Sequence, residues 1–280
     1  MRTRRDRAAD DPDDARCRIC GRLVPLSFEH VPPRAAGNAD AAWMYGLESW
    51  LNREGGKPAG RAEIQQGGAG AYSLCRVCNE HAGARYVPDF LQWTAFGMHV
   101  LRNLVPSLPE LDQTAQPAHV TVTFEQLRPA RFLKQVVTML LAITPGGFPP
   151  VHPDLVAFAQ DPERIGLPSP YQLYLSLFGG PMARYNGGTA RIREDGQGGF
   201  VNDFVIELAH PPFAYVLSFD EKLPAVPTGC ISNFADLTIH QRADVELPLL
   251  VGFGHTALPL DYRSKAELEL EREQNRAEDG

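Results

Sequence analysis

Two stretches of the chain space their apolar side chains as one face of an α-helix. In residues 129–143 these are Phe132, Leu133, Val136, Val137, Leu140 and Leu141, adjacent pairs repeating every four positions. Pro129 stands near the first helical position, and Thr144-Pro145-Gly146-Gly147 ends the run. Residues 88–104 predict a second helix through Phe90, Leu91, Trp93, Met98 and Leu101. Residues 153–160 predict a shorter one, and Trp43, Tyr45, Leu47, Trp50 and Leu51 form a brief helical stripe. Elsewhere the pattern is strand-like. Residues 119–124 alternate, and further runs lie at 171–178, 189–193, 200–209, 213–219, 231–239 and 247–253, most of them separated by Gly, Pro, Asn or Asp. Asn186-Gly187-Gly188 between two runs reads as a hairpin turn. Residues 62–74 read as a strand interrupted by Gly67-Gly68-Ala69-Gly70.

Polar segments divide this pattern. Residues 1–14 mix four Arg with five Asp and predict a mobile arm. Residues 105–117 carry three prolines and read as a linker. The organisation expected is an arm (1–14), a module closed by a helix (15–104), the linker, a domain with a mostly antiparallel sheet (118–262) and an acidic helical tail (263–280). The fold class is α+β. Hydrophobic residues make up 44% and charged residues 22%, as in globular proteins. No apolar run approaches the 18 or so residues of a membrane span, and none follows the N-terminal arginines as in a signal peptide. A cytoplasmic protein without a membrane partner is expected.

The net charge of −7 has the wrong sign for a protein that simply coats nucleic acid. The charge is uneven, however. Through Val105 there are 14 Lys and Arg against 12 Asp and Glu, leaving 13 against 22 for the remainder. A nucleic-acid contact is therefore expected in the N-terminal third.

Cysteine placement adds the first chemistry. Four of the five cysteines form two C-x2-C knuckles, Cys17/Cys20 and Cys75/Cys78. Reduced thiols in two such knuckles read as a four-thiolate structural zinc site. The alternative is two unrelated pairs of buried or redox-active cysteines. Cys230 stands alone and is expected to be a small buried residue.

Between the knuckles lies Ser27-Phe28-Glu29-His30-Val31-Pro32-Pro33, and directly after the second lies Asn79-Glu80-His81-Ala82-Gly83. In this order the sequence resembles the HNH endonuclease superfamily, in its zinc-stapled subgroup, over about residues 15–90. The resemblance implies a ββα-metal fold: two strands and a helix around one catalytic divalent ion, Mg²⁺ or Mn²⁺, stapled by a structural zinc. It implies His30 as general base and Glu29 and Asn79 as ligands of that ion. Glu29 could instead orient the histidine, and Asn79 could be only a helix N-cap. Many family members carry a third ligand three or four residues beyond the position of Asn79, where this chain has Ala82 and Gly83. His81 would point about 200° around the helix from Asn79. The family's central Asn has no sure counterpart, Asn38 lying early for it. Arg34, Arg76 and Arg85 are candidates for phosphate oxygens.

The chemistry is coherent without the family. A four-thiolate zinc has no open position, so catalysis needs a second, oxygen-liganded ion, and a histidine can take a proton from water near neutral pH. The expected function is a metal-dependent phosphodiester hydrolase acting on DNA rather than RNA. The resemblance suggests a setting in restriction or phage defence. The other reading is a zinc-stapled module that binds nucleic acid or protein without cutting. Residues 118–262 hold no nucleophile elbow, P-loop or dinucleotide fingerprint, so recognition of a target, a regulatory ligand or a protein partner is their expected role. Oligomerisation is left open. Tyr171, Tyr174, Phe178 and Tyr185 are expected mainly in the core.

Overall fold

The computed structural model describes residues 16–46, 52, 60–103, 118–178, 184–194, 200–219 and 229–251. The arm, the linker and the tail expected from the sequence lie outside the described residues. Within them the class is α+β, and every paired strand is antiparallel.

Strand β1 (Leu26–His30) pairs with β4 (Gly70–Cys75), and a smaller pair joins β2 (Ala42–Met44) to β3 (Glu63–Gln65). Helices α1 (Arg76–Arg85) and α2 (Val87–Asn103) follow β4 directly. Strand β5 (Ala118–Leu127) pairs with the last described strand, β10 (Ala243–Val251). Between them come α3 (Pro129–Ala142), α4 (Phe148–Val151), α5 (Pro153–Gln160) and a four-stranded sheet in the order β6 (Gln172–Leu177), β9 (Phe213–Ser218), β8 (Phe200–His210), β7 (Arg184–Glu194).

Every residue of α3 except Arg131 is buried. A helix buried on its polar side, Lys134, Gln135 and Thr138, as well as on its apolar face lies at the centre of the fold. Its one buried cation, Lys134, is held by main chain: Nζ donates to the carbonyls of Phe158, Asp161 and Arg164 at 2.6–2.9 Å and so caps the open C-terminal end of α5. Trp93 of α2 stacks on Phe132 of α3 at 4.5 Å and on Phe124 of β5 at 4.3 Å. The helix expected to close the first module thus packs into the second half, and one core contains Cys17, Cys75, Trp93, Phe132 and Leu217 together. Buried polar bonds cross the same boundary. Arg18 Nε donates to Thr144 O at 3.0 Å, and Tyr185 Oη donates to Val31 O at 2.6 Å.

Several local expectations are corrected. Trp43 lies on strand β2, 64% exposed opposite Ile64, where a helical stripe was expected; residues 47–51 are outside the described residues. Alternation at 43, 45 and 47 serves a strand as well as a helix. Residues 62–74 make two strands, β3 and β4, because the glycines between them turn the chain. Asn186-Gly187-Gly188 is a bulge inside β7, where the register with β8 shifts. Residues 231–239 contain the 3-10 helix Ser232–Asp236 in place of a strand. Cys230 is exposed, its Sγ donating weakly to Gln172 Oε1 and Ser232 Oγ.

Candidate metal centre and adjoining cleft

The first knuckle is a tight turn: Gly21 N donates to Cys17 O, Cys17 N donates to Arg22 O, and Gly21 has a φ of 67°. The second straddles a strand–helix junction, Cys75 ending β4 and Cys78 lying in the first turn of α1. The β1–β4 pairing and the core bring the two together. The four Sγ atoms lie within 4.8 Å of one another, and Cys20 and Cys75 are 3.8 Å apart. Thiolates bound tetrahedrally at about 2.3 Å stand about 3.8 Å from each other, so the set can hold a metal ion such as zinc.

The surroundings favour negative sulfur at Cys17, while burial pushes the Cys75 thiol up. Cys75 N donates to Cys17 Sγ at 3.2 Å, and Arg22 Nε donates to Cys20 Sγ at 3.4 Å. A hydrogen bond with the Cys78 thiol pulls Cys17 down to about 4, and the same contact pushes Cys78 up. An ion bound by all four sulfurs would displace the protons that remain on the others.

Beside this cluster, β1, β4 and α1 form a strand pair followed by a helix. Gly70 is required where the strands meet at His30, since a Cβ there would lie 2.0 Å from Glu29 O. Successive strand residues point to opposite faces. Glu29 goes inward, 7% exposed, and among the described residues no donor or cation meets its carboxylate. Burial pushes it up to about 7. His30 goes to the other face, where Phe28 lies edge-on at 4.9 Å. Its Nε2 is 3.0 Å from Gly67 O. A carbonyl only accepts, so in the neutral ring Nε2 carries the proton and Nδ1 keeps a lone pair. Asn79, in the first turn of α1, donates from Nδ2 to Ser27 Oγ at 3.2 Å and to Phe28 O at 3.3 Å, which leaves Oδ1 as its free acceptor. The side chain is therefore more than an N-cap, a position that Cys75 holds.

A cleft of about 440 Å³ opens on the His30 face, lined by Phe28, Tyr72, Arg34, Glu63 and Gln66 among others. Of the three arginines expected near phosphate, only Arg34 lines it. Arg76 is committed to Glu80 at 2.7 Å on the exposed side of α1, and Arg85 sits at the far end of that helix. His81 lies against Tyr86 and lines a separate pocket of about 240 Å³ with Cys20 and Cys78.

Asn38, set aside on sequence, proves central to the loop. Its Nδ2 donates to Pro32 O and Ala69 O, and its Oδ1 accepts from Ala69 N, each at 2.7 Å. It clamps the chain leaving β1 to the turn that carries Gly67. Gly68 makes room for it, a Cβ there falling 2.1 Å from Asn38 O. Tyr185 adds a second clamp on Val31. Neither long-range bond has a local signature in the sequence.

The fold and site define an α+β protein with a four-cysteine cluster able to hold a metal ion beside a buried carboxylate and a half-buried histidine. No family model matches the chain, and neither a curated protein nor a solved structure matches it. Among the described residues no helix is long and apolar enough to cross a membrane.

The Glu29 carboxylate has a measurable consequence. An acid whose folded value is raised favours folding while protonated; stability is full below about 4.5 and falls as pH rises towards 7. Glu29→Gln removes that loss. Without added divalent ion, the variant is expected to exceed wild type in unfolding free energy by about 2–3 kcal/mol at pH 8 and to match it at pH 4. Urea unfolding at both pH values checks this; equal differences at the two would show that the carboxylate is not the source.

Proposed function

We propose that the protein is a metal-dependent endonuclease of the HNH type, cutting DNA, with His30 as general base. The observation that carries this reading is the His30 ring itself. It is oriented by Gly67 O, has Nδ1 unused and opens on a cleft with an arginine, while the preceding residue, Glu29, is buried on the opposite face of the same strand. A structural protein gains nothing from burying Glu29 unpaired.

In this reading Glu29 and the Asn79 Oδ1 hold Mg²⁺ or Mn²⁺. Both are hard oxygen donors, and the two fit an ion that keeps several waters. The ion would supply charge stabilisation at the scissile phosphate. His30 Nδ1 takes a proton from the attacking water as the new P–O bond forms. The P–O bond to the leaving ester oxygen breaks, and Arg34 steadies a phosphate oxygen. Asn38 is a positioning residue here, in the place of the family's central Asn. The four-cysteine cluster holds structural zinc and fixes α1 to the strand pair. The second half carries target recognition or control, with Tyr185 as its direct tie to the strand bearing His30.

The departure at Ala82 and Gly83 favours a second reading, a module that binds without cutting. A supercoiled-plasmid assay separates the two. Nicking is expected with Mg²⁺ or Mn²⁺ and none without added divalent ion; zinc-loaded, folded protein that leaves DNA intact under all three conditions would select the binding module.

A further inference from the structure

We propose that the cleft beside His30 takes a single-stranded, unstacked stretch of nucleic acid, a base stacking on Tyr72, which Phe28 backs edge-on, and an adjoining phosphate meeting Arg34; this rests on the nuclease reading of His30. Tyr72 and Phe28 are cross-strand partners on β4 and β1. Their rings pack edge-on at 5.4 Å, and Phe28 packs edge-on to His30 at 4.9 Å. Tyr72 remains 37% exposed at the outer end of this three-ring row. An exposed aromatic in a cleft lined by hydrogen-bonding side chains is suited to a flat, polar-edged ring. The volume of about 440 Å³ lies in the range of small-ligand sites.

The charge balance argues for a single strand. Duplex DNA hides its base faces and is bound mainly by neutralising many phosphates. Among the described residues Arg34 is the only Lys or Arg lining the cleft; Glu63 lies opposite in charge, and Arg76 is already paired with Glu80. Among the described residues the cleft thus offers little cationic attraction and an exposed ring, which suits stacking, and stacking requires bases free of their neighbours. Gln66 and Glu63 then face the base edge, the groups able to hydrogen-bond it.

The test uses the full chain, a fluorescein-labelled 15-nucleotide DNA of mixed sequence and its duplex, read by anisotropy without added divalent ion. Wild type is expected to bind the single strand at least tenfold more tightly than the duplex. Tyr72→Phe keeps the ring and should behave as wild type. Tyr72→Ala should lose about tenfold or more on the single strand, the measured worth of one stacked base, and nothing on the duplex. Equal wild-type affinity for both DNAs would overturn the proposal, and this comparison needs no variant to fold. So would a folded, zinc-loaded Tyr72→Ala with undiminished single-strand binding. Cleavage with Mn²⁺ is scored separately. Single strand bound and cut by Tyr72→Ala as well as by wild type keeps the nuclease and removes the stacking; Tyr72-dependent single-strand binding with no cleavage of either DNA keeps the stacking and removes the nuclease.

Discussion

Replacing Cys75 by Ser is expected to strip the metal from the chain and to destabilise the whole protein, which should still melt in one transition. A neutral hydroxyl does not replace a thiolate ligand, and three sulfurs leave the tetrahedral site open. Structural zinc sites contribute about 10–16 kcal/mol of binding free energy that is also folding free energy. That is comparable to the whole stability of a typical domain, about 5–15 kcal/mol. The effect should not stay local. Cys75 ends the strand that pairs with β1, its backbone N–H supports Cys17, and both sulfurs belong to the core that contains Trp93, Phe132 and Leu217. Wild type should carry one zinc per chain by elemental analysis. Cys75→Ser should carry almost none and melt about 10 °C lower or more, whereas Cys230→Ser, altering an exposed residue, should match wild type. A zinc-free variant that melts with wild type would refute the structural role. Two separate transitions would show that the halves fold independently despite their shared core.

What could be read in advance follows from how local each signal is. The knuckles, the helix α3 and the antiparallel sheet are written in spacings of two to four residues, and they stand where the sequence placed them. Helix α2 was recognised, but its partners were not: that Trp93 meets Phe124 and Phe132 depends on chain thirty and more residues away. Trp43 shows the reverse error, a short apolar run whose period fits helix and strand alike. Asn186-Gly187-Gly188 has turn chemistry but sits mid-strand, because a bulge uses the same residues as a turn. Near the cluster, Glu29, His30 and Asn79 stand out in the sequence through their order around the cysteines, and the structure places them on β1 and in the first turn of α1. Asn38, Tyr185 and the Gly67 carbonyl do not stand out, since a side chain that holds a distant backbone group leaves no period behind. Residue types of distinctive chemistry are legible in a sequence; side chains that clamp distant backbone are not.

That division sets the scale of the last expectation. His30→Ala should reduce metal-dependent plasmid nicking by at least a hundredfold, since a positioned general base contributes about 10²–10⁴ in rate. Folding should survive. His30 is half-buried, its one described hydrogen bond is to Gly67 O, and its removal leaves a turn carbonyl within reach of water. Zinc content and melting temperature should therefore match wild type, because the four cysteines and the core are untouched. Asn38→Ala removes no reacting group but frees the turn that carries Gly67, so nicking should fall less than with His30→Ala, and stability more. Its amide makes three bonds to buried backbone, and each unsatisfied partner costs about 1–3 kcal/mol. A reversed order, with nicking surviving in His30→Ala but lost in Asn38→Ala, would move the reacting base away from His30 while leaving the strand pair as its scaffold. Unchanged nicking in both variants would place the chemistry outside this cleft.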